Sequence, residues 1–194
     1  MASSSSLGLG QQAPLSEFAS LNLNLSDSES PKEPSELAAQ RIADAQALFG
    51  AKPSLEIFKR SWSPDAIFED PIAHCRGWRQ YAAQWWGMKV FSTSVTKAWR
   101  ITKDTPQEIQ FAQKQHYGIK RFGFEKTMIS TVTMKLDNDG RIIHFQDAWD
   151  GKPMPGFWAT PFRRANALSL PFFMSAPAQH PDQGGTTQES HKEL

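Results

Sequence analysis

An α+β fold, with a curved antiparallel sheet wrapped around N-terminal helices, is what this sequence of 194 residues predicts. Apolar residues recur at helical spacing in the first half of the chain and at period two in the second. The period-two segments are long and joined by short turn signals, which pairs neighbouring strands antiparallel. Helices gathered on one side of such a sheet give the α+β class.

The helical segments come first. Ser35 is an N-cap before Glu36–Phe49, and Gly50 is a stop. Ser54 caps a short second helix over Leu55–Trp62. Gly77 opens a third over Trp78–Phe91, where Trp78, Tyr81, Ala82 and Trp85 form a core-facing stripe. The strands are Ala66–Glu69, Val95–Thr102, Glu108–Lys120, Thr127–Leu136 and Arg141–Trp149. Asp137-Asn138-Asp139-Gly140 marks the last turn. A curved sheet wrapped on helices encloses a cavity at its wide end, a natural ligand site.

Residues 1–34 are rich in Ser, Pro and Asn without a period, and 177–194 read the same way, so both ends are expected to be disordered. The domain is expected over 35–176. Its last part, 153–176, is an apolar extension holding Phe157, Trp158, Phe162, Leu168, Phe172 and Phe173, with Pro161 opening a helix and Pro171 ending it. The extension is expected to pack over the barrel or its mouth; a membrane-surface or dimer contact is the alternative.

Three segments resemble the NTF2-like superfamily, in its SnoaL-like branch. They are Asp65-Ala66-Ile67-Phe68-Glu69-Asp70-Pro71, the His74-Cys75-Arg76-Gly77-Trp78 approach to the third helix, and Asp139–Asp150. They come in the family's order and span about residues 36–152. The resemblance implies a cone-shaped domain with a pocket. That superfamily holds polyketide cyclases, dehydratases, ketosteroid isomerases, epoxide hydrolases and non-catalytic modules, so fold does not settle function.

Asp147 is the leading catalytic candidate. By alternation it shares a face with Ile143, Phe145 and Trp149. An acid on an apolar face costs free energy unless paired or protonated, and desolvation lifts its pKa toward the range useful in general acid–base catalysis. The resemblance agrees, since some enzymes of the superfamily place an acid on this strand. The structural alternative is an Asp bonded to Arg, Trp or backbone groups. Asp70 is the second candidate, although an Asp before a turn commonly caps backbone amides. His74 could shuttle a proton near Asp70. Gln113, Gln115, Tyr117 and Trp149 are expected to line the pocket and orient a ligand.

Two function classes follow. One is a cofactor-free isomerase, dehydratase or cyclase acting on a hydrophobic substrate. The other is a non-catalytic ligand-binding or protein-interaction module. No metal site is expected from the histidine spacing, and no cofactor fingerprint is present. Net charge is +1, with −3 in residues 1–34 and −2 in the tail from Pro177, leaving +6 in the middle. That excess is scattered, so no nucleic-acid partner is expected. A homodimer through the sheet face is a further expectation. No run is long and apolar enough for an integral membrane segment. A single cysteine, Cys75, and the absence of a secretory signal in the given sequence point to the cytoplasm or nucleus; the terminal His191–Leu194 is read as coincidence.

Overall fold

The computed structural model describes residues 8–21, 23 and 31–182. The remainder, including the His191–Leu194 ending, lies outside the described residues. Helix α1 spans Glu36–Phe49, and the Ser35 hydroxyl accepts from the Ala38 amide at 3.2 Å. The chain leaves it through Ala51 in the left-handed region, φ 58°. Helix α2, Leu55–Ser61, is capped by Ser54. It ends one residue earlier than the spacing predicts, because Trp62 already belongs to β1, Trp62–Glu69. After the three-residue β2, His74–Arg76, Gly77 at φ 75° turns the chain into α3, Trp78–Gly87. The expected stripe of α3 is buried throughout.

Four longer strands follow: β3, Thr93–Thr105; β4, Glu108–Ile119; β5, Phe124–Leu136; and β6, Ile142–Trp149. The six-stranded sheet runs β2-β1-β6-β5-β4-β3. The pairs from β3 to β6 are antiparallel, as expected of strands joined by tight turns. The β1–β6 pair is parallel, which makes the sheet mixed. These two strands are far apart in sequence, so no hairpin dictates their direction.

The core lies between the inner sheet face and the helices. Trp62, Phe145, Trp85, Tyr81 and Phe58 are fully buried there. Trp62 stacks on Phe145 at 5.2 Å between ring centroids, and Trp85 meets Phe145 edge-on at 5.5 Å. Alternation from Phe145 predicts Ile143 inside; instead Ile142 is buried and Ile143 is 42% exposed. The cause is a register irregularity where β5 and β6 meet, between Lys135 and Leu136.

Parts of both ends return to the fold, against the expectation of disorder for 1–34 and 177–194. Residues 10–13 bond along β3, the edge strand. The Ala13 amide donates to Trp99 O (2.9 Å), the Trp99 indole to Gly10 O (2.8 Å), and the Ile101 amide to Gln12 Oε1 (2.9 Å). The following 3-10 turn, Leu15–Leu21, buries Phe18 and Leu21 on the outer sheet face against Ala112, with Ala98 and Ile129 alongside. This arm covers an edge that would otherwise be open to other strands. It also occupies part of the face expected to serve a dimer. At the other end the Trp78 indole donates to Pro177 O (2.8 Å), and His180 is fully buried against the Trp78 ring.

The 153–176 extension forms helix α4, Thr160–Ser169, preceded by a turn at Phe157–Ala159 and followed by one at Leu170–Phe172. Its orientation is opposite to the expected one. Ala159, Arg163 and Ala167 face inward, whereas Phe157, Trp158, Phe162, Phe172 and Phe173 are exposed. The inward face is anchored by polar bonds to backbone carbonyls, which leaves the large rings on the other side.

Gly151 records how closely the arm lies. It sits at φ 65°, and an added Cβ would come within 2.5 Å of Ser20 O. Gly151→Ala should therefore cost about 1–3 kcal/mol, from left-handed strain and displacement of the arm. Urea melts measure the loss, and limited proteolysis should show faster cleavage within 8–21. A variant as stable and as protected as wild type would mean that the arm does not rest there.

Candidate functional site

A cavity of about 200 Å³ opens between α1, α3 and the inner sheet face. Its walls are largely apolar: Phe49, Phe68, Trp85, Met88, Phe91 and Met128 among others. Drug-sized ligands fill pockets of about 300–1,000 Å³, so this one suits a compact molecule rather than a fused polycycle. Asp70, Asp147, Tyr117, Trp149, Gln84 and Lys126 supply its polar groups.

Strand alternation brings Asp147 here. Phe145 is packed into the core, and two residues on the side chain points the same way. Asp147 is 6% exposed. Its Oδ2 accepts from the Trp149 indole at 2.8 Å, and the Ser130 hydroxyl also bonds the carboxyl. Oδ1 has no partner among the described residues, and no cation pairs with the group. Asp70 closes β1. Its Oδ1 accepts from the amides of Ile72 (2.8 Å) and Ala73 (2.6 Å), the turn cap that its position suggests. It performs that role and lines the pocket as well.

Arg163 of α4 holds the same turn from outside. It is 3% exposed, and it donates to Asp70 O (3.0 Å), Ala73 O (3.2 Å) and Glu69 Oε2 (2.8 Å). Asn166 adds a bond to Ile72 O at 3.0 Å. Sequence reading missed this grip because α4 looked like an apolar element; the adjacent Arg163-Arg164 pair inside it was the available signal. Gln84 was missed too. It lies one residue off the aromatic stripe of α3, at the pocket wall, with its side chain directed to the buried Cys75 thiol. Lys126 was legible by parity with Met128.

Three expected site residues lie elsewhere. His74 pairs in register with Glu69, so it faces away from Asp70; its Nδ1 is 3.4 Å from Glu69 Oε2. Glu69 also bonds His144 (2.9 Å), which together with Arg163 draws its pKa down to about 2. Burial lowers the pKa of His74. Gln115 is engaged within the fold, donating to Phe49 O (3.3 Å) and Ser94 Oγ (3.1 Å) and accepting from Thr96 (2.8 Å). Gln113 is 1% exposed and its amide is unpartnered, but it does not line the cavity. Cys75 is also fully buried, and desolvation pushes its thiol up to about 12, a poor nucleophile.

No family profile matches the chain, and no curated protein matches it in sequence. Solved structures do. An NTF2-like protein of Anabaena variabilis superposes over 59% of this chain and 87% of its own, at 12% identity and TM-score 0.51. The chain has the NTF2-like fold. Also similar are a steroid delta-isomerase from Pseudomonas aeruginosa (20% identity, 70% of this chain and 94% of that one, TM-score 0.42) and an LEH-like epoxide hydrolase of Mycobacterium tuberculosis (16%, 70% and 96%, 0.46).

In this pocket the two carboxyls titrate far from their ordinary range. Desolvation lifts Asp147 to about 6, opposed by the bonds from Ser130 and Trp149. Desolvation lifts Asp70 to about 7, against the bond from the Ile72 amide, and the charge of Asp147 raises it further. Tyr117 is pushed up by burial and then by the charges of Asp147 and Asp70, so its hydroxyl stays protonated and able to donate. The arrangement offers an ionised base, a protonated acid and a neutral hydroxyl in one apolar space. Among the described residues no group of three His, Cys, Asp or Glu comes together as a metal set.

Stability should register the buried Asp147. Below pH ~4 folded and unfolded chains both hold its proton, so nothing is lost. As pH rises the unfolded chain releases the proton first, while the folded chain keeps it until about 6. Above that the folded state carries a buried charge. Asp147→Asn removes this burden while keeping an oxygen for the Trp149 indole. At pH 4 the two proteins should melt alike, and at pH 8 the variant should be more stable by about 1–3 kcal/mol. A variant less stable at both pH values would show instead that the carboxylate holds the fold together.

Proposed function

We propose that the pocket binds a compact apolar molecule bearing a carbonyl or hydroxyl group and catalyses proton transfer on it without a cofactor. One observation carries this reading: two carboxyls that line the same apolar cavity both titrate near neutrality. A general base or acid works best when its pKa lies near the working pH. At pH 7 Asp147 is mostly ionised and serves as the base, taking a proton from carbon beside the carbonyl. Asp70 in its protonated form, or the Tyr117 hydroxyl, donates to the carbonyl oxygen as charge grows there. Return of the proton at another carbon is an isomerisation; loss of a β-hydroxyl as water is a dehydration; attack of the enolate on a second carbonyl is a cyclisation. The unpartnered Asp147 Oδ1 supplies an acceptor to such a ligand.

The non-catalytic module remains as a second reading, favoured by the predominance of Phe, Met and Trp in the walls. The superfamily's mixed membership makes it a real competitor.

The distinguishing experiment uses compact cycloalkenones and aryl ketones in D₂O, with α-deuterium incorporation followed by NMR and binding followed by tryptophan fluorescence. The full chain should exchange at least one of these above the buffer rate. Asp147→Asn should lower that rate by about 10²–10⁴-fold with binding retained. The rate should fall below pH about 6 as Asp147 takes up its proton, and above pH about 7 as Asp70 loses its own. Ketones that bind but exchange only at the buffer rate would leave a binding module without catalysis.

A further inference from the structure

The outward face of the α4 segment has no counterpart within the described residues. Phe157 is 90% exposed, Phe172 82%, Phe173 77%, Trp158 76% and Phe162 67%. Single exposed apolar side chains are ordinary, but a cluster of large rings along one element marks a binding surface. Residues 1–7, 24–30 and 183–194 contain no aromatic residue.

The position of this face is informative. The inward side of α4 grips the turn that forms one edge of the pocket, through Arg163 to Asp70 O and Ala73 O and Asn166 to Ile72 O. Ile72 lines the cavity and is itself 48% exposed. Leu170 and Met174 lie against Gly87, next to the pocket residue Met88. Phe124, the first residue of β5, lines the cavity at 43% exposure, and the turn before it adds Phe122 at 76%. Exposed apolar side chains therefore occur on two elements that border one pocket.

The exposed charge around them is predominantly positive, with Glu125 and Asp150 as the neighbouring acids. Residues 71–103, 109–124 and 151–181 contain no Asp or Glu at all. Those stretches supply α3, β4 after its first residue Glu108, the following turn, and α4, with Lys89, Lys120, Arg121 and Lys152 among their cations. Exposed Trp and Phe with neighbouring Lys and Arg is the composition of a surface that seats its rings at the headgroup boundary and its cations on lipid phosphates.

We infer that this face docks on an anionic lipid bilayer, with α4 lying against the headgroups and the pocket beside it. A second copy fits less well, because a two-fold contact would bring together two patches of the same net positive charge. An anionic surface meets both the rings and the charge. Docking stands on these surface residues and does not require the pocket to be catalytic.

Vesicle flotation of the full chain tests the inference. Vesicles of phosphatidylcholine with phosphatidylglycerol should carry the protein up, and raised salt should weaken the effect. Phosphatidylcholine alone should bind about tenfold less. Phe157→Ser with Trp158→Ser, and separately Lys120→Glu with Arg121→Glu, should each lower the bound fraction about tenfold. Both variants change solvent-facing side chains, so their melting temperatures and ketone binding should match wild type; those controls separate loss of docking from loss of the pocket. Failure of the full chain to float with either vesicle would overturn the inference. So would a doubled mass in light scattering that disappears in Phe157→Ser with Trp158→Ser, which would assign the face to self-association.

Discussion

Phe145 is the residue on which the rest of the arrangement depends. Its ring stacks on Trp62, lies 5.8 Å from Phe68, and meets Trp85 edge-on and Phe49 at a tilt. These contacts join β6 to β1, to α1 and to α3, so one ring fixes how the helices sit on the sheet. In a strand, side chains two apart share a side. Anchoring Phe145 therefore obliges Asp147 to point into the same apolar space. The Trp149 indole and the Ser130 hydroxyl satisfy part of the carboxyl without neutralising it. A raised pKa follows from the packing of the core.

Asp70 reaches the pocket by a different route. Its carboxyl closes its own turn by accepting two amides, while Arg163 takes the carbonyls on the other side of that turn. The loop is thus held by both kinds of backbone group, donors from within and acceptors from without. The cap bonds lower the pKa of Asp70, yet burial outweighs them. A residue in this setting can be structural and reactive at once.

Much of this was legible in the sequence because it depends on short-range periodicity. The α3 stripe and the inward placement of Asp147 and Tyr117 follow from helix and strand repeats alone. What failed was governed by distant partners. The three residues of β2 are too few to show a period, and the parallel β1–β6 pairing joins residues 77 to 80 positions apart, as Phe68 with Phe145 and Trp62 with Ile142. The exchange of Ile142 for Ile143 comes from a local irregularity that alternation cannot foresee. Phe18 and Leu21 looked like stray apolar residues in a polar arm because the surface that buries them belongs to β4 and β5. His74 was misplaced because its side is decided by its pairing with Glu69. The rings of α4 were assigned inward on hydrophobicity, although Arg163 and Asn166, with a set of backbone carbonyls to satisfy, had the stronger claim to that side.

The N-terminal arm makes any partner of the outer sheet face a competitor. Residues 8–21 are tethered to the domain they cover, so they act at the effective concentration of a short linker, on the order of millimolar. A second chain seeking Ala112 and its neighbours, or the covered edge of β3, must first displace Phe18 and the bonds made by residues 10–13. Its apparent affinity is its intrinsic affinity multiplied by the fraction of time the arm is off. Changes confined to the arm would thus tune association at that face without touching the face itself or the pocket on the opposite side of the sheet.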